Sequence, residues 1–286
     1  MTAAQRSVAS PDGTEIAVFS SGEGPPLLLV HGATADHTTW RSLGPVLERR
    51  FRLLAVDRRG RGASGDSSAY SIEREYEDLA SVADAAADEA GAPVDVVGHS
   101  YGGRCALGAA LLTSSIRRLV VYEGAPSPPG AGDLGSEIGR GDSGYRPAGV
   151  ERRIAELVAA GERDAALETF MQEIVRMPPA DLAAFRADPI WPVRAAAVGT
   201  TLRELEGEAS PAASLEALAG VRQPVLQLLG GDSAAPFREA TEALDARLRD
   251  GRVVVIDGAR HAAHHTHVDA FAAAVESFLG ATDMAD

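Results

Sequence analysis

The 286-residue chain carries a single cysteine, Cys105, so it can form no internal disulfide. A cytosolic address is permitted by that, though not required. Long apolar runs are also missing; the longest are about half the ~20 residues a membrane-spanning helix needs. Met1 to Ser10 has no apolar segment of the kind a secretory leader carries. The expectation is a cytoplasmic protein with no membrane partner.

Positive charge is scarce: 27 Lys+Arg stand against 41 Asp+Glu, a net −14. This balance disfavours nucleic acid and anionic membrane surfaces as partners. It does not identify a substrate, because a local pocket can oppose the global sign. No G-x-G-x-x-G turn follows the first strand and no Walker-type lysine is present, so no cofactor is expected. What is present is ordinary for a globular protein: 45% hydrophobic and 24% charged residues.

Short apolar runs alternate with longer amphipathic ones. Val8 to Ser10, Pro11-Asp12-Gly13 and Thr14 to Phe19 read as a β-hairpin. Six further runs follow: 27–30, 52–56, 94–97, 119–122, 225–229 and 253–256. Rich in branched residues and bounded by Gly or Pro, they suit parallel strands covered on both faces. Helical spacing occupies 72–90, which stops at Gly91-Ala92-Pro93, and also 102–112, 239–248 and 270–279. The alternation implies an α/β fold with a doubly wound, mostly parallel sheet.

The rhythm breaks between about 125 and 214. A Gly/Pro/Ser-rich stretch, 126–149, reads as a long loop and a candidate gate. Helical patterns then cover 150–160, 163–176, 181–187 and 192–205. The expected organisation is a core of residues 1–124 and 215–286 with a helical cap, 125–214, inserted over one sheet edge.

Gly98-His99-Ser100-Tyr101-Gly102 follows an apolar strand and opens a helix. In that context a G-x-S-x-G pattern places a serine on a sharp turn, its hydroxyl held outward above a helix N-terminus. Ser100 is the candidate nucleophile. His31-Gly32-Ala33 follows the first core strand, so the backbone N–H groups of Ala33 and Tyr101 are the candidate oxyanion hole. The candidate base is His261, in a loop after the last strand. The acid has two candidates. Asp232, after Gly230-Gly231, is preferred for its nearness to the histidine loop; Glu123, at the end of 119–122, is the alternative. Either could instead cap the following segment. His261 and His265 are four apart and could share a metal on a helix, but no acidic residue or cysteine stands among them and no metal is assigned. His99 and His31 read as packing or hydrogen-bonding residues, and Cys105 as a buried thiol.

With Val30-His31-Gly32, Asp57-Arg58-Arg59-Gly60-Arg61-Gly62-Ala63-Ser64, Gly98 to Gly103 and Gly258-Ala259-Arg260-His261 together, the chain resembles the α/β-hydrolase superfamily, in its serine-nucleophile branch with a helical cap. The resemblance covers both sheet halves but not the cap. It implies that the charged residues of 57–64 brace the loops around the site, and that the order Ser, acid, His is the family's own. Relatives usually have two residues between the glycine and the acid after the penultimate strand; here Asp232 follows Gly231 directly.

The expected activity is hydrolysis of an ester-type bond in a small or medium organic substrate through an acyl-enzyme. C–C bond hydrolysis, thioester or lactone chemistry and perhydrolysis are alternatives on the same triad, and a silent small-molecule binding protein is a further one. Candidate pocket residues are Trp40, Phe170 and Trp191, with Met171, Met177, Phe185 and Ile190 as further apolar cap residues. A small-molecule substrate is the expected partner, and self-association is left open.

Overall fold

The computed structural model describes residues 4–128, 147 and 149–280. Eight strands form one sheet: β1 (Ala4–Ala9), β2 (Glu15–Ser21), β3 (Pro26–Val30), β4 (Arg52–Val56), β5 (Val94–His99), β6 (Ile116–Tyr122), β7 (Val225–Gly230) and β8 (Gly251–Ile256). Their order is β1-β2-β4-β3-β5-β6-β7-β8. The β1–β2 hairpin is antiparallel, β2 meets β4 antiparallel, and β3 to β8 run parallel. This is the doubly wound sheet that the apolar runs predict.

The helices of the core are α1 (Gly44–Leu47), α2 (Ile72–Ala90) and α3 (Tyr101–Ala110). Between β6 and β7 come α4 (Val150–Ala159), α5 (Arg163–Thr169), α6 (Pro179–Arg186), α7 (Trp191–Ala197), α8 (Thr201–Gly207) and α9 (Leu215–Leu218). The chain closes with α10 (Ala235–Asp245), α11 (Ala263–Thr266) and α12 (Val268–Leu279). Ser71 caps α2 with its hydroxyl, Glu73 and Glu75 lie in its first turn, and Gly91 ends it at φ 68°. These are the residue types that the unpaired ends of a helix favour.

Side chains alternate across the strands. Leu28, Val30, Leu54 and Val56 join α2, α3 and α10 on one face, whereas Leu27, Leu29, Leu53 and Val97 join α1 and α12 on the other. The run 253–256 departs from the expected double burial. As β8 it forms the sheet edge, and Val253, Val254 and Val255 are 39–44% exposed. Helices α4 to α8 have an apolar cluster of their own, built on Ile154, Leu167, Phe170, Trp191, Val198 and Leu205. The stretch 126–149 lies mostly outside the described residues, and with it the candidate gate. Among the described residues no helix is long and apolar enough to cross a membrane.

Candidate active site

Every group of the site sits at the C-terminal edge of the parallel strands, which is where an open α/β sheet leaves its loops free to converge. Ser100 occupies the turn between β5 and α3 with φ 53° and ψ −126°. A non-glycine residue there stores roughly 1–3 kcal/mol of strain, which the surroundings must hold. Three backbone bonds hold it: Ser100 N–H donates to Tyr122 O at 2.8 Å, and Ser100 O accepts from Gly103 N and Arg104 N. The neighbouring glycines are set by closeness. A Cβ on Gly102 would lie 2.2 Å from the His31 carbonyl oxygen, and one on Gly98 would lie 2.6 Å from Gly103 Cα. The sharp turn therefore needs bare backbone on both sides of the serine.

His261 lies in the loop after β8, as expected, and its Nδ1 meets Glu123 Oε2 at 2.6 Å. The carboxylate is fixed from its other side, where Oε1 accepts from Gly230 N at 2.8 Å and from Ser233 Oγ at 2.5 Å. The preferred acid, Asp232, is not at the imidazole. Its side chain is 55% exposed and its nearest cation is Arg260, at 3.8 Å. The cause is strand register. His99 pairs with Tyr122 across β5 and β6, so the residue after β6 falls beside Ser100. Beyond β7, Gly231 N and Asp232 N bond back to Ile256 O and Ala259 O, and the Asp232 side chain is left toward water.

The imidazole is also held by its neighbours. Its ring stacks on Phe237 at 4.3 Å, and His99 Nε2 bonds the His261 carbonyl at 2.9 Å. Burial, then the nearby His261, lowers the His99 pKa well below the usual value, so its ring is neutral and donates from Nε2. His264 is buried against Trp40, Tyr122 and Phe271. His265 bonds Ser42, and burial brings its pKa down to about 4. His267 pairs with Thr266 at the surface. Cys105 is buried in the core, as expected.

Ser100, His261, Ala33 and Tyr101 border one cavity of about 50 Å³. No hydrogen bond joins Ser100 to His261 among the described residues, but both face this space. Tyr101 begins α3, so its N–H has no partner within the helix. An imidazole held at Nδ1 by a carboxylate can take a proton at Nε2, and two free N–H groups can receive a developing negative oxygen.

The apolar wall consists of Phe170, Ile174, Val175, Leu205 and Phe237. Of the three predicted pocket residues only Phe170 is there. Trp40 packs in the cluster beneath the sheet, and Trp191 meets Phe185 edge to face while its indole N–H bonds Asp164 at 2.7 Å. Phe170 and Ile174 come from a turn of π-helix, 170–174, a bulge that often accompanies functional sites.

The run 57–64 braces the surrounding loops. Asp57 accepts from His37 N at 2.7 Å and from Ala63 N at 2.8 Å. Arg59 clamps Asp78 through two bonds, at 2.6 and 2.7 Å. Arg58, fully buried, grips Glu75 through two nitrogens at 2.8 and 2.9 Å and also bonds Glu204 of α8. Arg61 bonds the same Glu204 oxygen at 2.6 Å, and Arg104 bonds Glu208 at 2.8 Å. All 27 basic side chains of the chain are arginines, whose fixed fork suits such buried pairs. The partners Glu204 and Glu208 escape sequence reasoning because they come from the helices between β6 and β7, far from any motif. Two further ties from the helices between β6 and β7 are exposed: Arg41 with Asp188 and Arg260 with Asp181.

The model of the alpha/beta hydrolase family matches residues 27–274, and the chain belongs to that family. It is similar to the pimeloyl-[acyl-carrier protein] methyl ester esterase of Neisseria meningitidis serogroup A, with 28% identity over 88% of this chain and 75% of that protein. Among solved structures, an alpha/beta hydrolase from Sphaerobacter thermophilus superposes with a TM-score of 0.79 at 32% identity, covering 96% of this chain and 100% of the other. The esterase RhEst1 from Rhodococcus sp. ECU1013 gives 0.72 at 25%, covering 98% and 99%.

Proposed function

We propose that this protein is a serine hydrolase that cleaves a carboxylic ester of a small or medium organic molecule, with helices α4 to α8 acting as its cap. The observation that carries the reading is the His261–Glu123 bond of 2.6 Å beside a serine held at positive φ. Ser100 Oγ attacks the ester carbonyl carbon while its proton passes to His261 Nε2. The carbonyl oxygen becomes an oxyanion, received by the N–H groups of Ala33 and Tyr101. The C–O bond to the alcohol then breaks, and the departing oxygen takes the proton from His261. Water repeats the sequence on the acyl-Ser100 intermediate: His261 takes its proton, the acid leaves and Ser100 regains its hydrogen.

Glu123 keeps the imidazole in the tautomer with the proton on Nδ1 and stabilises the imidazolium that forms. Side chains and water complete the chemistry, so the reading needs no cofactor. The esterases among the similar proteins support the choice of an ester over other acyl compounds. Hydrolysis of p-nitrophenyl acetate and butyrate, with mass-spectrometric mapping of a fluorophosphonate probe, tests it. Ser100→Ala should lose on the order of 10⁴-fold or more in kcat and take no label. Wild-type turnover by that variant would sink the reading.

A further inference from the structure

Ser100 and Glu123 both stand in the left-handed region of backbone space, at φ 53° and φ 48°. Each follows a residue with a ring, His99 before Ser100 and Tyr122 before Glu123. Strand register pairs those two residues across β5 and β6, and their rings stack with centroids 5.3 Å apart. Both side chains reach the loop that carries His261.

That loop has little backbone support of its own. Among the described residues neither Arg260 nor His261 makes a backbone–backbone hydrogen bond. Side chains take their carbonyls instead. Tyr122 Oη donates to Arg260 O, and His99 Nε2 donates to His261 O at 2.9 Å. The same Tyr122 Oη accepts from Ala263 N at 3.0 Å, so one hydroxyl brackets His261 from both sides along the chain. Burial, then the nearby Glu123, raises the Tyr122 pKa well above its usual value, so the hydroxyl keeps the proton it donates. The Tyr122 backbone takes part too, because its carbonyl oxygen accepts from Ser100 N at 2.8 Å. One residue thus steadies the serine turn, carries Glu123 on its own peptide and ties down the histidine loop.

A loop without backbone bonds samples several conformations, and ordering it costs entropy. With the clamp removed, that ordering falls to the His261–Glu123 bond and the stack on Phe237. Catalysis is sensitive to such a change, since a misplacement of about 1 Å can cost about 100-fold in rate.

We infer that Tyr122, together with His99, is a positioning residue that fixes the backbone of His261 and thereby the aim of its imidazole at Ser100. This rests on the ester-hydrolase reading of the same site.

The test compares native protein with Tyr122→Phe, which removes one oxygen and leaves the ring, and with His99→Phe, which removes the donor and leaves a ring. On p-nitrophenyl butyrate each should lose about 10- to 100-fold in kcat while KM stays within about two-fold. Proton NMR gives a reading that needs no substrate. The far-downfield resonance of the proton between His261 and Glu123 should be sharp in native protein. In both variants it should broaden or vanish through exchange with water. Phe271→Leu is the comparison for packing alone, because Phe271 meets the Tyr122 ring edge to face at 5.3 Å without touching its hydroxyl bonds. It should lower Tm and leave kcat within about two-fold.

A folded Tyr122→Phe whose kcat falls no further than that of Phe271→Leu overturns the inference. So does a native resonance in both ring variants. If Tyr122→Phe does not fold, His99→Phe decides, and native kcat there overturns it as well. Native protein separates the two levels. If it cleaves the ester and Ser100 takes the fluorophosphonate label, such results remove only the role of Tyr122 and His99. If it does neither, the ester-hydrolase reading has failed and takes the inference with it.

Discussion

Strands β6 and β7 lie side by side and each is followed within a few residues by a carboxylate. After β6, Glu123 has a fully buried side chain and three bonds, to His261, Gly230 N and Ser233. After β7, Asp232 is 55% exposed and meets only Arg260, at 3.8 Å. The difference shows that the end of a strand does not by itself make a functional acid. What matters is the register that aims the next residue and the donors that meet it. Strand β7 contributes to the site all the same, through Gly230 N–H and the Ser233 hydroxyl that hold its neighbour's carboxylate.

This contrast can be broken by substitution. Glu123→Gln should lower kcat by about 10³–10⁴-fold, since the imidazole loses both its tautomer control and its counter-charge. Near-native turnover of that variant on p-nitrophenyl butyrate would erase the distinction. Ser233→Ala should cost about ten-fold in kcat, because the carboxylate keeps Gly230 N–H but loses one charge-assisted bond. Asp232→Asn should stay within about two-fold in kcat and within ±0.5 kcal/mol in stability by urea titration, as an exposed side chain does. A larger fall for Asp232→Asn than for Glu123→Gln would reverse the assignment.

Most of the architecture was legible in the sequence because a doubly covered sheet writes itself as branched apolar runs, and the elbow at Ser100 as small residues around a serine. His261 was legible from its place after the last strand. The choice between Asp232 and Glu123 was not, because Gly-Gly before an acid and Tyr before an acid look alike until cross-strand register is known. The edge position of β8 was hidden for a related reason: Val253 to Val255 are as apolar as any buried run. Trp40 and Trp191 misled because a large aromatic side chain serves a core as well as a pocket. Glu204 carried no local signal at all; its partners Arg58 and Arg61 lie more than 140 residues away in the chain.

The buried, neutral histidines have a consequence for life in acid. Burial is the leading cause that holds the pKa values of His31, His99 and His264 well below the usual value. An unfolded chain offers the same rings to water, where they titrate near 6.5. Below that pH the unfolded state takes up protons that the folded state refuses, so stability is full above about pH 6.5 and drains as pH falls toward the folded-state values. Each ring costs about 1.4 kcal/mol per pH unit, against a total stability of about 5–15 kcal/mol for a typical protein. Urea midpoints should therefore drop steeply from pH 7 to pH 5, and His264→Phe should make that slope shallower. Flat midpoints across the interval would contradict it. Vinegar-like surroundings, on this account, would dissolve the fold.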